Sequence, residues 1–113
     1  MSAITTHVLD LARGKPAAGV PVRLERRGAA GWEELGHAAT DADGRARRLI
    51  GADAPFVAGV YRLTFELAAY FAALGVETFY PEAAIVFEVR DPREHHHVPL
   101  LVSPHGYSTY RGS

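Results

Sequence analysis

A chain of 113 residues, 48% hydrophobic and 22% charged, is sized and composed for one globular domain with an ordinary core, which excludes a disordered segment. Its formal net charge of −1 offers no electrostatic case for a nucleic-acid backbone or an anionic membrane surface, and no stretch nears the roughly 20 apolar residues of a bilayer span. With no cysteine, disulfide frameworks and thiolate chemistry are excluded.

The opening stretch Met1-Ser2-Ala3-Ile4-Thr5-Thr6-His7 has neither a charged n-region nor an apolar h-region, so no secretory signal is read and a cytoplasmic protein is expected. Residues 3–11 are rich in β-branched side chains, and the two-residue period of a strand puts His7 on one face with Thr5 and Leu9. Gly14-Lys15-Pro16 breaks that strand. Val20, Val22 and Leu24 alternate with Pro21, Arg23 and Glu25 as a half-buried strand. Residues 28–31 turn, and 32–40 form a weaker strand opened by the single Trp. Asp41-Ala42-Asp43-Gly44 reads as a hairpin turn, since Asp-Gly tolerates positive φ. A strand over 45–50 follows, with Arg45, Arg47 and Leu49 on one side.

A loop over 51–59 leads to Tyr61, Leu63, Phe65 and Leu67, which alternate against Val60, Arg62, Thr64 and Glu66. Ala68-Ala69-Tyr70-Phe71-Ala72-Ala73-Leu74 is built of helix formers and stops at Gly75, predicting one short helix. Ile85, Phe87 and Val89 mark the next strand, ending near Asp91-Pro92. Three consecutive histidines then enter an apolar run, and Ser103-Pro104-His105-Gly106 turns it back as a hairpin. Eight strands, one helix and no repeat or linker predict an all-β, two-sheet sandwich over residues 1–113. Pro99 strains this pattern, because a proline inside a strand implies an edge or a bulge.

The hairpin brings the histidines close to the terminal hydroxyls and Arg111. Unlike most chain ends, 110–113 carries an aromatic, a cation and a hydroxyl, with the α-carboxylate of Ser113 beside them. Gly112, lacking a side chain, allows close backbone approach. His95 and His97 share one strand face and His96 takes the other, so at most two of the three converge on one pocket.

Thr6-His7-Val8-Leu9-Asp10, Gly14-Lys15-Pro16-Ala17, Thr40-Asp41-Ala42-Asp43-Gly44-Arg45, Phe79-Tyr80-Pro81-Glu82, His95-His96-His97-Val98-Pro99-Leu100-Leu101 and Tyr110-Arg111-Gly112-Ser113 stand in an order that resembles the transthyretin-like 5-hydroxyisourate hydrolases. The resemblance spans almost the whole chain, and the terminal Tyr-Arg-Gly-Ser and His7 set it apart from the hormone carriers. It implies a sandwich of two four-stranded sheets, a homotetramer with sites at the dimer–dimer interface, and ring-opening hydrolysis of 5-hydroxyisourate in urate degradation. By the same resemblance His7, Arg45 and His97 are catalytic, and Tyr110, Arg111, Gly112 and Ser113 bind substrate. His96 departs from the family pattern, where an aromatic is frequent.

The chemistry agrees with this set. Opening a cyclic amide needs water deprotonated, which a histidine does near neutral pH, and the carbonyl oxygen stabilised, which suits a forked, permanent arginine cation. Plainer readings stand beside it: His7 as a surface histidine, Arg45 as a solvated turn cation, Tyr107 and Tyr110 as packing residues on opposite faces. The triplet with His7 has a spacing that suits zinc, but neither cysteine nor a fitting carboxylate completes the set, so no metal or other cofactor is expected. Asp41, Asp43 and Gly44 resemble half a calcium loop, with arginines where further oxygen ligands belong. The alternative function is a transthyretin-like binding protein holding a small ligand without turnover; a purely structural sandwich is the third.

Overall fold

The computed structural model describes residues 3–51 and 54–113. Met1 and Ser2 of the opening stretch, and Ala52 and Asp53 of the expected 51–59 loop, lie outside the described residues. Among the described residues nine strands and one helix follow in the order β1 (Ile4–Asp10), β2 (Lys15–Pro16), β3 (Pro21–Gly28), β4 (Gly31–Ala39), β5 (Arg45–Ala46), β6 (Gly59–Glu66), α1 (Ala68–Ala73), β7 (Glu82–Val89), β8 (His96–Ser103) and β9 (Gly106–Thr109). One sheet has the order β4-β3-β6-β7; the other has the order β2-β1-β8-β9, with β5 also pairing β1. The two-sheet sandwich with one short helix is therefore present, and its site-bearing sheet gains a fifth, two-residue strand.

Alternation decides which faces meet. Val22, Leu24, Tyr61, Leu63, Phe65, Ala83 and Val89 face Ile4, Val8, Val98, Leu100 and Val102 in one core. Burying such side chains stabilises by about 1.5–3 kcal/mol each. Helix α1 seats Tyr70 and Phe71 against this core. It closes as a Schellman motif: Val76 N–H donates to Phe71 O and Gly75 N–H to Ala72 O, both at 3.0 Å, with Gly75 at φ +70°. Among the described residues no helix is long and apolar enough to cross a membrane.

Three local expectations are corrected. The Asp41–Gly44 turn is not a hairpin, because it carries the chain from β4 in one sheet to β5 in the other. Gly44 there has φ +77°, and any Cβ would run into the Val8 carbonyl. The strand expected over 45–50 stops at Ala46. Beyond it Leu49 and Ile50 turn inward while Arg47 and Arg48 stay exposed, and the Leu49 carbonyl passes where a side chain of Gly36 would stand. Third, Pro99 sits in an inner strand. The His96 N–H bonds β1 through Ala3 O, whereas the His97 carbonyl accepts from Gly112 N, so alternate residues serve the two neighbours. Pro99 therefore faces the β9 side, where regular pairing lapses between Thr109 and Gly112 and no donor is needed.

Candidate active site

β1 and β8 run parallel, an unusual pairing for a sandwich of hairpins, and the register sets Thr5 opposite His97 and His7 opposite Pro99. On its other edge β1 pairs β5, which sets His7 opposite Arg45. The outward faces of three strands thus gather His7, Thr5, Arg45 and His97, although 92 residues separate Thr5 from His97. A cleft of about 920 Å³ opens here, with Thr5, Arg45, His95, His97 and Ser113 on its polar walls, Ile50 and Phe56 on its apolar side, and Arg47 and Arg48 at its rim.

Each polar group has an identifiable role in the geometry. The Thr5 hydroxyl lies 2.8 Å from Nδ1 of His97 and 2.9 Å from Nε2 of His95. Burial pushes His97 below the usual imidazole range, and the charge of Arg45, then His95 and His7, pushes the same way. The ring is therefore neutral at pH 7 and able to accept a proton. His7 Nε2 is 2.8 Å from the Asp43 carbonyl, an acceptor only, so Nε2 carries the proton of a neutral His7. Arg45 is held through its backbone: its N–H donates to Asp41 Oδ1 at 3.0 Å and its carbonyl accepts from Asp41 N at 2.9 Å. The Asp43 N–H donates to the same Asp41 oxygen at 2.9 Å. These backbone donors, that of Arg45 first, hold the Asp41 carboxyl below its usual range. Asp41 thus builds the turn through Oδ1.

The tail is divided. Gly112 N–H donates to the His97 carbonyl at 2.8 Å and Ser113 lines the cleft. Arg111 instead points to Glu94, with Nη2 3.3 Å from Oε1, and Tyr110 is exposed; neither lines the cleft within one chain, and nor does His7, which flanks it. His96 turns inward, edge-on to Phe56 at 6.0 Å, with a buried Nδ1 that has no hydrogen-bond partner among the described residues. Among the described residues no group of three or more His, Cys, Asp or Glu is placed to hold a metal ion. Thr5, Arg47 and Arg48 are members to which the sequence reading gave no role, while His95 was placed on the face of His97 without one; the shared face of Thr5 and His7 was the available signal for the first.

Residues 4–112 match the HIUase/Transthyretin family. The chain is 50% identical to the 5-hydroxyisourate hydrolase of Caulobacter vibrioides, with all of each chain covered. Among solved structures, 5-hydroxyisourate hydrolase of Klebsiella pneumoniae superposes with a TM-score of 0.85 at 43% identity, covering 100% of both chains. Sea bream transthyretin in complex with thyroxine superposes with a TM-score of 0.90 at 32% identity, covering 97% of this chain and 94% of that one. A sandwich shared with both, and a sequence matched along nearly its whole length, make this chain a member of the HIUase/Transthyretin family.

Proposed function

We propose that the protein hydrolyses 5-hydroxyisourate, opening its cyclic amide, with His7, Arg45 and His97 as catalytic residues and the 110–113 tail as part of the substrate site. The observation that carries this reading is His97 and Arg45 gathered in one cleft, where burial and the Arg45 charge lower the ring's affinity for a proton, in a chain 50% identical to a 5-hydroxyisourate hydrolase. His97 takes a proton from water, and the resulting hydroxide adds to the ring carbonyl. The Arg45 guanidinium steadies the oxyanion and grips the ureide oxygens. The C–N bond then breaks as the imidazolium returns its proton to the leaving nitrogen, giving a ring-opened carboxylic acid. His7 orients water or substrate from its Nδ1, since its Nε2 is engaged by Asp43.

The working unit in this reading is a homotetramer with the clefts at the dimer–dimer interface. Its support is the exposed Tyr110 and the open edges of β7 and β9, which invite pairing with a second copy. The test is ultraviolet absorbance of freshly generated 5-hydroxyisourate with and without protein, alongside sedimentation. Decay faster than the spontaneous rate by a tetramer supports the proposal. Unchanged decay selects ligand binding without turnover, and a fully active monomer refutes the shared site.

A further inference from the structure

The Thr5 hydroxyl has one proton and two imidazoles on it, at 2.8 Å and 2.9 Å. It can donate to only one ring at a time, and the two arrangements in which it donates to one ring and accepts from the other are not equivalent. In the first, His97 Nδ1–H donates to Thr5, and Thr5 donates to His95 Nε2. A neutral His97 then has a bare Nε2, free to take a proton. In the second, His95 Nε2–H donates to Thr5, and Thr5 donates to His97 Nδ1. The single proton of a neutral His97 is then on Nε2, and the ring has no lone pair for water there.

We infer that Thr5 is a positioning residue which, together with His95, selects the tautomer of His97 and thereby decides whether that ring can act as a base. The inference rests on the role given to His97 above. Its logic is that of a base oriented by a hydrogen bond at its other nitrogen, here through a neutral hydroxyl in place of a carboxylate. A carboxylate would hold the proton on Nδ1 unconditionally. A hydroxyl holds it there most firmly while His95 accepts the hydroxyl proton.

Besides its hydroxyl, Thr5 bonds the ring through its backbone, which raises the affinity of His97 for a proton; the groups on other residues do not choose between the two ring nitrogens. From β1, His7 is committed to the Asp43 carbonyl through Nε2. From β5, Arg45 is a fixed cation that favours the neutral ring without choosing its tautomer, and Arg47 and Arg48 line the cleft beside it. From the tail, Gly112 meets the His97 backbone through its N–H and Ser113 lines the cleft.

Two measurements test the inference, one independent of turnover. Ring nitrogen shifts of 15N-histidine-labelled tetramer at pH 8 should show His97 as the Nδ1–H tautomer, reverting to the Nε2–H form common in water in Thr5→Val, an isostere without the hydroxyl. In kinetics, Thr5→Val should lower kcat by about tenfold to a hundredfold with KM within about twofold, and Thr5→Ser should restore it. His95→Leu, which removes the acceptor for the Thr5 hydroxyl proton, should shift His97 toward the Nε2–H form. An Nε2–H tautomer in the parent, a Thr5→Val enzyme with parent kcat and profile, or a tautomer indifferent to His95→Leu each overturns it. A parent without turnover would sink the hydrolase reading, and the nitrogen shifts would still decide the tautomer.

Discussion

Gly112 lies against the imidazole of His97, and a Cβ at that position would stand 2.6 Å from Cδ2 and 3.2 Å from Pro99 Cγ. The same glycine donates its N–H to the His97 carbonyl. The tail thus grips the ring's backbone and closes over its side chain in one residue. Gly112→Ala should push the ring off the Thr5 hydroxyl and lower kcat by about tenfold or more, because ångström-scale misplacement of a catalytic group costs up to about a hundredfold. Thermal unfolding should shift little, since position 112 is outside the core cluster. A Gly112→Ala enzyme with the parent kcat would show that the ring gives way harmlessly.

Arg45 does two things to His97 that can be separated by pH. Its charge helps hold the imidazole neutral, second only to burial. Arg45→Gln should lower kcat by about a hundredfold to a thousandfold through loss of oxyanion stabilisation. It should also move the acid limb of the residual activity to higher pH, because His97 regains affinity for protons. The sign for stability follows from the same shift. The unfolded ring titrates at the ordinary imidazole value and the folded ring lower, so this group's contribution falls as pH drops through the ordinary value. A limb that stays in place or moves to lower pH in Arg45→Gln would contradict the coupling.

Arg47 and Arg48 stand at the cleft's rim, exposed, and neither forms an ion pair among the described residues. An imide N–H between two carbonyls is acidic, so a cyclic diacylurea reaches the cleft as an anion or as a cluster of carbonyl oxygens. The double substitution Arg47→Gln and Arg48→Gln should raise KM about threefold to tenfold at low salt with little change in kcat, and flatten the salt dependence of kcat/KM. Equal KM for parent and variant at low ionic strength would mean that the two cations do not contribute to capture.

The buried Asp10 at the end of β1 accepts from Tyr70 Oη at 2.7 Å and from Arg13 N at 3.2 Å, tying α1 to the site-bearing sheet. Burial, then the bond to Asp10, raises the Tyr70 phenol above its usual range, so it stays a donor throughout the working pH. Tyr70→Phe should destabilise by about 1–3 kcal/mol in denaturant unfolding, the cost of stripping a donor from a buried acceptor, with kcat unchanged. Parent stability would indicate that solvent replaces the phenol.

What was legible in the sequence depended on the range of the interaction responsible. β6 and β7 were readable because period-2 alternation is local: Tyr61, Leu63 and Phe65 face inward as their spacing requires. The 45–50 stretch misled because Leu49 is drawn in over Gly36, a glycine nine residues before Arg45 whose relevance nothing nearby announces. His7, Arg45 and His97 were visible through motif resemblance. Thr5 and His95 were not, because their significance arises only when β1 and β8 lie side by side. Pro99 looked like an edge residue because a sequence does not show which neighbour a missing donor faces.

The parallel pairing of β1 with β8 also sets when the site can exist. Thr5 and His97 are 92 residues apart, and closing a loop of that length costs about 4 kcal/mol of chain entropy. Contacts of such separation are slow to form relative to hairpins such as β8–β9 or β3–β4. During refolding the turns and meanders can assemble early, while the shared hydroxyl waits for the longest closure in the molecule. Recovery of activity should therefore track the slowest native phase, and partly folded chains will have sheets without a base.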